Sequence, residues 1–125
     1  MTERRLLILD DDATIAQILL ASARAASLAA RWHARLAPFL EDAADWQPTH
    51  LLIDLTLPEQ EPSQVMQALA HQRCTAQIII CSGRDAGECQ AALALAGSLG
   101  LRPGGVLTKP FTQQQFRALL APAGA

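Results

Sequence analysis

Leu6-Leu7-Ile8-Leu9-Asp10-Asp11-Asp12 is an unbroken aliphatic run that ends in three carboxylates. Four consecutive apolar residues leave no polar face, as expected of a strand covered on both sides of a sheet. The same pattern recurs downstream. Leu51-Leu52-Ile53 ends in Asp54, Gln77 to Cys81 ends in Ser82 and Gly83, and Gly105 to Thr108 ends in Lys109-Pro110. Residues around Ala30 to Ala34 offer a fifth strand with a weaker pattern.

Helical patterns fill the intervals. Ile15, Ile18 and Leu19 recur at helical spacing, with Asp12 or Thr14 available to cap the helix N-terminus. Leu36 to Trp46 reads as a helix stopped near Pro48. A turn region with Pro58 and Pro62 follows Asp54, and Pro62 suits the first position of a helix reaching about Gln72. A further helix covers Ala86 to Leu99, its end loosened by Gly97 and Gly100. The last carries Phe116, Leu119 and Leu120 at i, i+3 and i+4. Five strands alternating with five helices predict an α/β fold, an open parallel sheet with helices on both faces.

Composition agrees with one such domain. The chain has 125 residues, half of them apolar, and only 4% aromatic, so its core is aliphatic and alanine-rich. The net charge of −2 comes without a basic stripe interleaved with aromatics, which argues against direct nucleic-acid binding. The opening Met-Thr-Glu-Arg-Arg leads into an apolar run too short for a signal peptide or a membrane span, so a cytoplasmic protein with no membrane contact is expected. Cys74, Cys81 and Cys89 lack metal-site spacing, and Cys81 reads as a small buried hydrophobe. His33, His50 and His71 form no ligand set. Ala121 to Ala125 reads as a frayed tail, either a natural end or the start of a removed linker.

In open parallel sheets, ligands bind beyond the carboxyl ends of the strands. The residues delivered there are Asp10 with Asp11, Asp54, Ser82 and Lys109. Crowded carboxylates repel, and a bound cation keeps them ionised; an all-oxygen donor set favours Mg²⁺. A carboxylate can attack phosphorus and form an acyl phosphate, while a lysine supplies a point charge and a hydroxyl a hydrogen bond. Taken singly, each residue is ordinary: Asp12 a helix cap, Ser82 a turn residue, Lys109 a solvated loop lysine. Their conjunction, in order, at four strand ends points to phosphoryl chemistry at Asp54.

These segments resemble the receiver domain of bacterial response regulators in two-component signalling. The matching pieces are Leu6 to Asp11, Leu51 to Pro58, Ile80-Cys81-Ser82-Gly83 and Leu107-Thr108-Lys109-Pro110-Phe111. The resemblance covers essentially the whole chain, with residues 1–121 as the domain and 122–125 as tail. It implies a flavodoxin-like three-layer (βα)5 sandwich with strand order 2-1-3-4-5. It further implies that Asp54 is the phosphoacceptor and that Asp11 and Asp54 bind Mg²⁺, or alternatively Mn²⁺, directly. Asp10 would act through water, the backbone carbonyl of Thr56 would complete the metal shell, and Ser82 and Lys109 would contact the phosphoryl group. The implied activity is self-phosphorylation and self-dephosphorylation only, not turnover of a substrate. The implied partners are a histidine kinase or phosphotransfer protein, an output domain in cis or a partner protein, and a second copy of the chain.

Three positions depart from the family pattern. Pro62 stands where a glycine is usual. Val106 occupies the switch position, usually aromatic, and a valine cannot swing a polar ring toward Ser82. Ser82 and Lys109 lie 27 positions apart, longer than in most receivers, with the extra length around Gly97 to Gly104. The segment Leu93 to Pro110 is similar to receivers joined to EAL-type cyclic-di-GMP phosphodiesterase domains, which implies an output in cyclic-di-GMP turnover. Two other readings compete. Asp10-Asp11-Asp12-Ala13-Thr14 fits the D-x-D-x-T pattern of haloacid-dehalogenase-type phosphatases, with Asp10 as nucleophile and Asp12 as acid/base, but no Asp or Glu follows Lys109 to complete that site. A degenerate receiver acting only as a protein-interaction module is the other.

Overall fold

The structure is a computed structural model that describes residues 3–57, 61–83 and 86–120. The expected turn at Pro58 and the tail Ala121 to Ala125 lie outside these residues. Strands and helices alternate throughout: β1 (Arg5–Leu9), α1 (Ala13–Ala25), β2 (Ala29–His33), α2 (Leu36–Trp46), β3 (His50–Asp54), α3 (Pro62–His71), β4 (Gln77–Ser82), α4 (Ala86–Ser98), β5 (Arg102–Thr108) and α5 (Gln113–Leu119). All strand pairings are parallel and the order is β2-β1-β3-β4-β5. This is the flavodoxin-like arrangement that the sequence led us to expect.

The aliphatic runs explain the layering. Successive side chains of a strand point to opposite faces. Leu7, Leu9, Leu51, Ile53, Ile78 and Ile80 pack under α2, α3 and α4, with Phe39, Met66 and Leu93. Their neighbours Leu6, Ile8, Leu52, Ile79, Cys81 and Leu107 pack under α1 and α5, with Leu19 and Phe116. A run without polar residues is therefore required, because neither face meets water. Each such side chain contributes about 1.5–3 kcal/mol by leaving solvent.

Local sequence sets the helix starts. The Asp12 carboxylate accepts from the N–H groups of Thr14 and Ile15, so Asp12 rather than Thr14 caps α1. Glu61 and Gln64 form a capping box on α3 with Pro62 in its first turn, and Thr112 and Gln115 form another on α5. Helix α2 closes on Gln47 in the left-handed conformation, just before Pro48.

Three details refine the sequence reading. The buried stripe of α1 is Ala16, Leu19 and Ala23, and Ile18 is 48% exposed; the small alanines, not the large isoleucine, face the sheet. Strand β2 runs one residue earlier than the segment around Ala30 to Ala34 and is only partly buried, as befits a sheet edge. Strand β5 begins at Arg102, three residues before Gly105. Ile78 pairs with Pro103 and Ile79 with Gly105, so Gly104 is an inserted bulge residue. A Cβ on Gly104 would lie 3.0 Å from the Ile78 carbonyl oxygen, which is why glycine stands there.

Candidate functional site

The carboxyl ends of β1, β3, β4 and β5 deliver polar residues to one edge. Asp10 and Ser82 are fully buried and Asp54 is nearly so, whereas Asp11 is exposed. Charged groups are seldom this buried without partners. Here the partner is Lys109, whose ammonium donates to Asp10 Oδ2 at 3.3 Å and lies 3.7 Å from Asp54 Oδ2. The backbone N–H of Lys109 donates to the Ser82 carbonyl at 3.1 Å, which ties the end of β4 to the segment after β5.

The acidic side of the pocket is closely knit. Asp10 Oδ1 accepts from the Asp12 N–H at 2.9 Å. Asp54 Oδ1 accepts from the Thr56 N–H at 3.0 Å, and the Thr56 hydroxyl lies 2.7 and 2.8 Å from the two Asp54 oxygens. One hydroxyl proton serves both oxygens, so Thr56 donates to one or is shared. Burial raises the Asp10 carboxyl above its ordinary value and the negative charge of Asp54 adds to this, against the Asp12 N–H and Lys109, which lower it. Burial alone would lower Lys109, but the charges of Asp54 and Asp10 more than offset it and hold the lysine above its usual value. The pocket therefore retains a cation between two carboxylates.

Asp10, Asp11 and Asp54 each bring a carboxylate oxygen to within 4.8 Å of the other two. Three convergent oxygen donors fit a hard divalent cation such as Mg²⁺. Sequence reasoning named all three, together with Lys109 and Ser82. It named the Thr56 backbone carbonyl as a metal ligand; separately, the Thr56 hydroxyl and N–H reach Asp54. Val106 is partly buried against the α2–α4 side of the core, one strand from Ile80. Four contacts escaped it. The indole N–H of Trp32 donates to the Asp10 carbonyl at 2.7 Å. His33 and Arg31 both bind Asp42, at 2.9 and 2.8 Å, and Arg31 stacks 4.3 Å over Trp46. A Trp or His on an edge strand carries no sequence signal for such partners.

Cys81 sits beside the pocket, paired with Asp54 in the sheet register. Burial pushes its thiol up to about 12, with the nearby carboxylates adding, so it is an inert core residue. All three cysteines are free thiols.

A doubly wound α/β domain with an acidic pocket at the carboxyl edge of its sheet defines a broad structural class, and solved structures narrow it. The response regulator receiver domain protein (CheY-like) of Methanospirillum hungatei JF-1 superposes with a TM-score of 0.80 at 19% identity, covering 94% of this chain and 90% of that one. The chemotaxis response regulator CheY4 of Vibrio cholerae gives 0.79 at 19% identity over 95% and 97% of the two chains. A response regulator from Colwellia psychrerythraea gives 0.75 at 25% identity over 94% of each. The chain thus has the fold of response regulator receiver domains. No family model matches the sequence, and no curated protein does. Among the described residues, no helix is long and apolar enough to cross a membrane.

Proposed function

We propose that this chain is a phosphoacceptor receiver domain, spanning residues 1–121, that takes a phosphoryl group on Asp54 from a histidine kinase or phosphotransfer protein. The observation that carries the proposal is the buried Asp54 carboxylate facing Lys109 across a cluster of three acidic groups. An Asp54 oxygen attacks phosphorus, the new O–P bond forms as the donor's P–N bond breaks, and the imidazole nitrogen keeps the electron pair. Lys109 supplies positive charge to the incoming phosphoryl oxygens, and Ser82 a hydroxyl at the same edge. Asp11 and Asp54 would hold Mg²⁺ directly, Asp10 through water, with the Thr56 carbonyl as a further ligand. The bound ion supplies charge neutralisation.

The domain then modifies only itself, and its product is a changed surface read by an output domain or partner. The likeness of Leu93 to Pro110 to EAL-linked receivers favours an output in cyclic-di-GMP turnover, acting in the cytoplasm. With Val106 at the switch position, that surface change does not run through an aromatic ring at that place.

The phosphatase reading loses ground to the geometry. Its acid/base, Asp12, has its carboxylate committed to the first turn of α1, and no Asp or Glu follows Lys109 to complete its metal site. Incubation with acetyl phosphate or phosphoramidate and Mg²⁺, read by intact mass, tests the proposal. One hydroxylamine-sensitive phosphate adduct is expected, and Asp54→Asn abolishes it. An adduct that survives Asp54→Asn but is lost in Asp10→Asn would establish the phosphatase reading. No adduct under any condition would leave a protein-interaction module.

A further inference from the structure

Strand β2 holds both peptide units that flank the Asp10 Cα. The Asp10 N–H donates to the His33 carbonyl at 3.2 Å, and the Asp10 carbonyl accepts from the Trp32 indole at 2.7 Å. The first bond continues the parallel ladder beyond its last register pair, Leu9 with His33. The second is different in kind: a side chain on the edge strand reaches the loop that follows the neighbouring strand. Trp32 stands in register with Ile8, and its ring is half-buried against the core beneath α1. From there the indole points along the sheet to a carbonyl two residues further on.

A peptide unit is planar, so holding the Asp10 oxygen fixes the plane shared with the Asp11 N–H and the direction in which the Asp11 Cα leaves. The following amide, that of Asp12, is held by Asp10 Oδ1 at 2.9 Å. Both peptide units around Asp11 are therefore anchored, although Asp11 itself is exposed. Its carboxylate brings an oxygen to within 4.8 Å of those of Asp10 and Asp54. Groups that orient a ligand without touching the ion lower the ordering cost of binding.

We propose that Trp32 is a positioning residue for the cation site: its indole N–H presets the Asp10–Asp11 peptide so that Asp11 presents its carboxylate alongside Asp10 and Asp54. This rests on the reading of those three residues as a cation site. The role belongs to one hydrogen bond, not to the bulk of the ring.

Two variants separate the hydrogen bond from the packing. Trp32→Phe keeps an aromatic ring, and replacement of Trp32 by benzothienylalanine keeps the whole bicyclic shape while exchanging N–H for sulfur. In both, the Mg²⁺ concentration that half-saturates phosphorylation by phosphoramidate should rise about tenfold. The rate at saturating Mg²⁺ and the helical bands of the far-ultraviolet circular dichroism should stay as in the parent. In the metal-free protein, the Asp11 and Asp12 amides should exchange with deuterium faster. Unchanged half-saturation with benzothienylalanine overturns the proposal, as does a lower saturated rate at unchanged half-saturation. A parent protein that binds no Mg²⁺ would instead overturn the cation-site reading beneath it. In that event, unchanged amide exchange in the variants would show separately that the indole does not hold the peptide.

Discussion

At the scale of single residues, burial decides which groups are spent on stability. His50 opens β3 at the end of the sheet away from the acidic pocket and is only 4% exposed. Its Nδ1 lies 2.8 Å from the Thr49 hydroxyl, while its buried Nε2 finds no partner among the described residues. Burial lowers its pKa below the ordinary 6.5, and the positive charges of Arg4 and Arg102 lower it further. The unfolded chain therefore takes up the proton first as pH falls. The stability contributed by neutral His50 is complete above about 6.5 and is lost from there down toward the folded value. Thermal denaturation followed from above about pH 6.5 downward should show a falling Tm that is clearly shallower in His50→Leu. Parallel curves for the two proteins would refute this. Nothing in the sequence marked His50 as buried beyond its place before Leu51, since a histidine between Thr49 and a strand reads equally well as solvated.

At the scale of elements, the fit of α5 on β5 depends on an absent side chain. Gly105 has φ of +141°, and a Cβ built there would lie 2.6 Å from Leu119 Cδ2. The backbone conformation strains any residue with a Cβ, and the Leu119 side chain would have to shift to admit one. Gly105→Ala should cost about 1–3 kcal/mol in urea denaturation, and adding Leu119→Ala should recover part of what the clash costs. Full additivity of the two losses would show that the contact is not the cause. Strands were legible in proportion to their burial. β1, β3 and β4 are covered on both faces and read as unbroken aliphatic runs, whereas β2 lies at the edge, half-buried, and its bounds were read one residue late. The start of β5 was missed for another reason. Arg102 and Pro103 have no strand signature of their own, and a bulge at Gly104 exists only relative to β4.

At the scale of the whole molecule, the candidate site is a product of topology, since residues 10, 54, 82 and 109 meet only when four strands lie parallel. That is why they were legible together: strand ends in a parallel sheet share an edge whatever the packing details. Trp32 and the Thr56 hydroxyl were not, because their contacts depend on side-chain direction in a finished fold. An ion held by Asp10, Asp11 and Asp54 binds the folded chain and not the unfolded one. At about a hundredfold excess over its dissociation constant it should add about 2.7 kcal/mol. For a domain of this length that is a rise of roughly 10 °C in Tm, reversed by EDTA and much reduced in Asp54→Asn. A Tm indifferent to Mg²⁺ would remove the cation from the account. The bulge in β5 also bears on how the molecule behaves in a crowd. An outermost strand is a template on which other chains can polymerise, and charged side chains, proline and bulges are common safeguards. Pro103 leaves the strand one donor short and Gly104 breaks its regular spacing. On that flank the strand carries three of the common safeguards against edge-to-edge growth: an exposed Arg102, Pro103 and the bulge at Gly104.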